Sequence, residues 1–338
     1  MEVARQAVAG LLAVEASTIV FTSGGTESDN LAIWGAFGWP PSGHLIVSAI
    51  EHPAVLEPAA ALEAAGVTVT RLGVSAAGMV DLEDLESALR PDTRLISVMA
   101  ANHEVGTLQP VEKIAGLARE HGVAFHCDAV QAAPWLDLTA LAARADFLSI
   151  SAHKLGGPVG VGALFVREGM PLLPHLRGGA QQAGRRGGTE PVALICGFAA
   201  ACERISHRRD EVAPRVKLLR DCLENAVLEQ VPGVFRSGVP ESRLPNTSHL
   251  CVASCDGNAL VARLDLEGVA AASGAACSTG VPQPSHVLSA MGILPELRGG
   301  ALRISLGYES SQEGIDRAAR FIPEAIESLR RAGVGSLG

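Results

Sequence analysis

The sequence predicts an α/β fold: a mostly parallel, doubly wound sheet joined to a smaller C-terminal α+β domain. Three observations predict it. From residue 17 to about 166, short β-branched runs alternate with longer helical patterns, and strands that alternate with helices pair in parallel. Past Gly197 the rhythm changes to one long amphipathic stretch, 198–231, with a charged middle at 203–211. Polar and glycine-rich clusters recur directly after the strand-like runs, which is where parallel α/β sheets bind ligands.

The strand-like runs are 18–22, 45–48, 68–71, 95–100, 124–127, 147–151 and 162–166. Helical patterns at 27–38, 54–65, 82–89 and 111–121 separate them, with apolar residues recurring at helical spacing. After the long stretch come strands near 249–253, 268–271 and 302–305 and a final helix at 312–332. This divides the chain into a large domain, 1–208, and a small one, 209–338, joined by the long helix.

Composition narrows the class. The chain has 338 residues, 48% hydrophobic and 19% charged, as a globular protein of about two domains does. Its net charge of −9 argues against a nucleic-acid or anionic-membrane partner. The longest apolar run, 192–202, is too short to span a bilayer and contains Gly197, so it reads as a buried helix. Seven cysteines (127, 196, 202, 222, 251, 255 and 277) are irregularly spread, and no signal-peptide pattern precedes them. They read as thiols of a cytoplasmic protein. Cys251 and Cys255 form the one close pair, at a spacing wrong for a zinc knuckle, so no metal is expected. Lys113, Lys154 and Lys217 are the only lysines. Arginine cannot form a Schiff base, so carbonyl chemistry has three candidates.

The polar clusters then take on meaning in chain order. Phe21-Thr22-Ser23-Gly24-Gly25-Thr26-Glu27-Ser28 carries a strand through a glycine turn into a helix, with Thr26 or Ser28 available as its cap. Exposed N–H groups at such a start attract anions, although alone the segment reads more readily as an ordinary βα turn. His126-Cys127-Asp128-Ala129-Val130-Gln131 ends a buried strand in a carboxylate. That carboxylate is costly unless it meets a cation or serves as a helix N-cap. Ser151-Ala152-His153-Lys154 follows a strand expected to neighbour it, so Lys154 and Asp128 open onto one crevice. Glu51-His52-Pro53 offers an imidazole that can stack on a flat ring, and Asn102-His103-Glu104 offers donors for a ring hydroxyl.

Together, and in this order, these segments resemble the class V aminotransferase superfamily of fold-type I pyridoxal 5'-phosphate (PLP) enzymes, and more narrowly the cysteine desulfurases. The resemblance extends from Thr18 to the last helix. It implies that Lys154 carries PLP, that Asp128 partners the pyridine nitrogen, that Gln131 bonds the ring hydroxyl and that His52 stacks on the ring. Asn102 and His103 would contact the cofactor, and Gly25, Thr26, Ser151 and His153 would hold its phosphate. Thr189, in Arg186-Gly187-Gly188-Thr189, would reach the phosphate of the partner subunit's cofactor, which implies a homodimer.

The reaction turns on Ser273-Gly274-Ala275-Ala276-Cys277-Ser278-Thr279-Gly280. A cysteine among glycine, serine and threonine is a candidate nucleophile or an incidental loop thiol. With Pro284-Ser285-His286-Val287-Leu288 downstream, the segment resembles the long-loop form of the desulfurase active loop. Arg303 resembles the arginine that pairs with the substrate carboxylate, and Asn246 matches another family position. The implied reaction converts L-cysteine to L-alanine, with a persulfide on Cys277 passed to an acceptor such as an iron–sulfur scaffold or a thiolating protein. Selenocysteine lyase and aminotransferase are neighbouring readings on the same scaffold. The sequence departs from the pattern at His103, where many desulfurases have asparagine, and in lacking ahead of Met1 a segment like Tyr-Leu-Asp-x-x-Ala-Thr-Thr. Without that wall the expected alternatives are a misassigned start or a PLP-binding remnant.

Overall fold

Among the described residues, seven strands form one sheet: β1 (Ile19–Thr22), β2 (His44–Ser48), β3 (Thr68–Leu72), β4 (Thr93–Ser97), β5 (Ala124–Asp128), β6 (Phe147–Ser151) and β7 (Gly162–Val166). The computed structural model describes residues 1–274 and 285–333. The strand order is β1-β7-β6-β5-β4-β2-β3. β7 is antiparallel to both its neighbours, and the remaining pairs are parallel. The expected mostly parallel sheet is therefore present. Its central strands are buried along their whole length, as β2, β6 and β7 illustrate, which explains why apolar residues predominate in them without strict alternation. β3 is one of the two edge strands, and its Thr68 and Arg71 face solvent, a composition that discourages edge pairing.

The helix Gly25–Phe37 packs on helix Pro53–Ala64 and against the middle strands. Leu31, Ile33 and Phe37 of that helix share one apolar core with Leu45, Val47, Val55, Leu62, Leu95, Phe147 and Leu164. A further helix, Glu2–Leu12, is absent from the sequence-based reading; it buries Ala4, Val8, Leu11 and Leu12 along one stripe.

The chain's contacts divide it into two compact units. The first comprises residues 1–73, 80–101 and 109–209, and the second 74–79, 102–108 and 210–338. The long helix Val192–Gln230 carries the chain from the first into the second. In the second unit β8 (Val234–Arg236), β9 (Thr247–Val252) and β10 (Ala301–Ser305) form an antiparallel sheet in the order β10-β9-β8. One expectation needs correction, and one strand was not expected. The run 268–271 is not a strand: Gly268, at φ 71, closes the preceding turn, and pairing is limited to one bridge between Ala272 and Arg303. β8, with three residues, carries too little pattern to be read from sequence.

An ion cluster fastens the last turns of the long helix to this sheet. Arg243 donates to both oxygens of Glu224, from Nη1 at 2.6 Å, and Ser248 Oγ adds a bond of 2.6 Å. Arg236 also pairs with Glu224, and the fully enclosed Arg220 donates to Leu244 O at 2.6 Å. Burial alone would raise the Glu224 pKa, yet the bonds from Arg243 and Ser248 outweigh it and hold the group below the usual carboxylate range. Removing one partner of such a set strands the other charge, so Glu224→Ala should cost about 3–5 kcal/mol, read as a lowered urea midpoint. Because the folded-state pKa is depressed, the contribution is present above the unfolded pKa and disappears as pH falls through the folded one. Acid titration of the wild type should show that loss, and the variant should not.

Candidate active site

Strand pairing places the first group of residues. β5 and β6 run parallel with Asp128 opposite Ser149, so both strands finish at the same end of the sheet. β6 ends at Ser151, and the short turn Ala152–Leu155 carries His153 and Lys154 before Gly156, at φ 75, stops it. Asp128 is buried, and its Oδ1 accepts Val130 N–H at 2.8 Å. Burial pushes its pKa up to about 7, with Asp29 adding to the rise; Val130 N–H, His126 and Lys154 pull the other way. Lys154 and Asp128 thus feel one another's charge.

The anion cradle starts at Gly24, whose φ of 153 and ψ of −175 precede the helix Gly25–Phe37. The helix begins at Gly25, so Thr26 and Ser28 are inside it and neither is its cap. Ser28 Oγ instead meets Thr22 Oγ1 at 2.8 Å and Gly24 O at 3.1 Å. The helix start carries no side-chain cap, which leaves its dipole and amides for another anion. Ser151 Oγ and His153 Nδ1 share a hydrogen bond of 2.8 Å, and a Cβ placed on Gly24 would lie 3.9 Å from Ser151 Oγ. At Gly25 a Cβ would stand 2.8 Å from Val130 Cγ2 and 3.8 Å from Ser151 Cβ. Glycine turn, Val130 and Ser151 therefore converge.

Other predicted residues of this unit sit nearby in the chain's order of strand ends. His52 caps the helix Pro53–Ala64, its Nδ1 accepting Ala54 N–H at 3.0 Å. Gln131 is half-buried in the turn after Asp128. Thr189 is exposed, and its segment is tied down by Arg186, which grips both oxygens of Glu27 at 2.7 and 3.1 Å. The donor set suits a planar aromatic cation with an aldehyde and a phosphate. A buried carboxylate calls for a cation, an uncapped helix start with Ser151 and His153 calls for an anion, and Lys154 offers an amine. PLP has those three features.

The second unit gathers Asn102, His103 and Arg303. Asn102 is fully buried, and its Oδ1 accepts the N–H groups of Glu104 and Val105 at 2.9 and 3.0 Å. Its amide oxygen is thus committed to a turn. Arg303 Nη1 donates to His103 O at 2.8 Å, and the His103 ring lies beside that of His286, centroids 6.1 Å apart. Glu104, raised by burial and drawn down by Ser285, His286 and Arg303, accepts Ser285 Oγ at 2.6 Å. Asn246 binds the end of β10 instead of this group, through Leu306 N–H at 2.9 Å and Leu306 O at 3.4 Å. Cys277 lies outside the described residues.

Sequence reasoning missed Asp29, Glu51, Glu104 and Ser285. The available signal was an acid on a helix whose following residues, Leu31 to Ile33, are all apolar; a charge beside such a face is out of place unless something meets it.

Parallel sheet, glycine cradle, buried aspartate and strand-end lysine define one class of protein. The aminotransferase class-V family matches residues 1–318, and the chain belongs to that family. Within it, the chain is 41% identical over 332 residues to the cysteine desulfurase IscS of Dictyoglomus turgidum, covering 98% of this chain and 84% of the relative. It is 43% identical over 329 residues to the cysteine desulfurase NifS of Azotobacter vinelandii, covering 97% and 82%. It superposes on a solved NifS-like protein with a TM-score of 0.90 at 35% identity, covering 97% of this chain and 87% of that one.

The cradle depends on bare backbone at Gly162, where a Cβ would fall 2.7 Å from Gly24 Cα and 2.8 Å from Ile150 O. Backbone cannot yield as a side chain does, so Gly162→Ala should cost about 1–3 kcal/mol. Thermal unfolding and the affinity for inorganic phosphate should fall together.

Proposed function

We propose that this chain is a PLP-dependent cysteine desulfurase, converting L-cysteine to L-alanine and passing the sulfur on through a persulfide at Cys277. The observation that carries the reading is the pairing of a buried carboxylate, Asp128, with the strand-end amine of Lys154 beside an uncapped glycine turn. The narrowing to sulfur chemistry is supported by relatives named cysteine desulfurase that align with nearly the whole chain.

When bound, PLP supplies an electron sink for the substrate α-carbon. Asp128, ionised, would hold the proton on the ring nitrogen. Helix start, Thr26, Ser151 and His153 would grip the phosphate, and Gln131, with Asn102 and His103, would bond the ring side. His52, oriented by its bond to Ala54 N–H, would offer an aromatic face. Lys154 would carry the cofactor and then, as a free amine, move the α-proton. Arg303 would pair with the substrate carboxylate, its plane steadied by His103 O, and Asn246 would hold the strand that bears it.

Cys277, as thiolate, attacks the substrate sulfur. A sulfur–sulfur bond forms while the sulfur–carbon bond breaks, and the carbon keeps that electron pair and takes up a proton to become alanine. The terminal persulfide sulfur then moves to an acceptor thiol, on an iron–sulfur scaffold or a thiolating protein. We place the enzyme in the cytoplasm, a reducing compartment that suits its free thiols. We also take it to be a homodimer in which Thr189 serves the partner subunit's cofactor.

Purified chain should bind PLP with a visible absorbance that responds to L-cysteine. Lys154→Ala should lose that absorbance and about 10²–10⁴-fold in rate. Cys277→Ser should keep the absorbance and lose sulfide release. A Cys277→Ser variant that released alanine and sulfide at the wild-type rate would overturn the persulfide route, and one that transferred amino groups would favour an aminotransferase.

A further inference from the structure

Two buried carboxylates beside Asp128 have no part in the reaction above. Asp29 extends from the helix Gly25–Phe37, and Glu51 follows β2; both are enclosed. His126 precedes Asp128 by two residues on β5 and so shares its face of the strand. The His126 ring joins three elements. Its Nδ1 lies 2.8 Å from Ser97 Oγ of β4, its Nε2 3.0 Å from Ser149 Oγ of β6, and Asp29 Oδ1 approaches Nε2 to 3.4 Å from the helix. Glu51 Oε1 accepts Met99 N–H at 2.9 Å and the hydroxyl of Ser48.

Three carboxylates in so dry a place cannot all carry charge. Burial pushes Asp29 up to about 7, opposed by Ser149. It pushes Glu51 up to about 8 against the pull of Ser48 and Met99, with Asp128 and Asp29 adding to the rise. Burial also draws His126 down to about 4, so the imidazole is neutral and one of its nitrogens is an acceptor.

We infer that Asp29 and Glu51 are positioning residues for Asp128. Asp29, against His126 and Ser149, and Glu51, beside Ser48 and Met99, compete with Asp128 for the negative charge that so dry a cluster can carry, and so set the pH at which Asp128 ionises. The inference rests on the PLP reading, because the charge is useful there only to a ring cation. The groups that face Asp128 are Asp29 from the helix, Glu51 from the turn after β2, His126 and Cys127 from its own strand, and Lys154 from the turn after β6.

Cofactor loading then has an acid limit set by this cluster. Asp128 must ionise to pair with a ring cation, so the pairing is present above its folded pKa and lost as pH falls through it. Removing a neighbouring negative charge lowers that pKa. Asp29→Asn should therefore move the acid limb of PLP binding to lower pH by about one unit. Glu51→Gln, on a separate element, should move it the same way, and tests the idea even if the first variant does not fold.

The experiment is equilibrium binding to apoprotein, from about pH 5 to about pH 8, of PLP and of its carbocyclic isostere with CH in place of the ring nitrogen. The isostere keeps aldehyde and phosphate, and hence shares whatever pH dependence Lys154 and the cradle impose. Wild type should lose about tenfold in PLP affinity per pH unit below the midpoint. Both variants should shift the limb for PLP and leave the limb for the isostere in place. Unshifted PLP limbs in folded variants, or equal shifts for both probes, would overturn the inference while leaving the cofactor reading intact. A wild-type chain that bound neither probe would overturn both.

Discussion

The parallel pairing of β5 with β6 governs the rest of the site, because it brings a carboxylate and an amine to one end of the sheet from positions 26 residues apart in the sequence. Asp128 closes one strand; Ser151 closes the next, and the tight turn beyond it presents His153 and Lys154. Neither strand has freedom to slip. A one-residue change of register would turn Phe147, Leu148 and Ile150 away from their packing partners, and these are fully buried. The chemistry therefore borrows its precision from apolar side chains that take no part in it.

The same sheet bears an electrostatic burden. Each enclosed carboxylate gives up hydration, and such a loss amounts to several kcal/mol unless a partner compensates. The two units handle this differently. In the second, Glu224 is surrounded by Arg243, Arg236 and Ser248, and its charge is satisfied within the fold. In the first, Asp29 and Asp128 meet serine, histidine and backbone, with pKa values raised to match. One cluster is built to hold the chain together. The other leaves its carboxylates with less compensation, the pattern expected where a functional site departs from the most stable arrangement.

Much of this was legible in the residues. β2, β6 and β7 announce themselves as short, largely apolar runs, and the alternation of strand and helix implies the parallel sheet. Lys154 stood out because lysine is scarce, and Asp128 because it ends a buried strand. What escaped had physical reasons. Helix periodicity cannot say whether the helix starts at Gly25 or two residues later, so Thr26 and Ser28 looked like caps. Val269 gives 268–271 a strand-like look, yet it lacks a neighbour with which to pair along its length. Burial of Asp29 depends on three elements distant in sequence, and no local pattern reports it. His126 was in view, but only the structure shows that its ring spans β4, β6 and a helix.

His52 unites two requirements of different origin. Its Nδ1 accepts a backbone N–H at the start of the helix Pro53–Ala64, so in the neutral ring the proton is on Nε2. Aspartate, asparagine or serine could serve the helix in that way, but none has an aromatic face. Phenylalanine or tryptophan has the face and no acceptor. Histidine alone among the common residues supplies both at once, so folding and ligand contact would restrict this position to a single amino acid, each for its own reason.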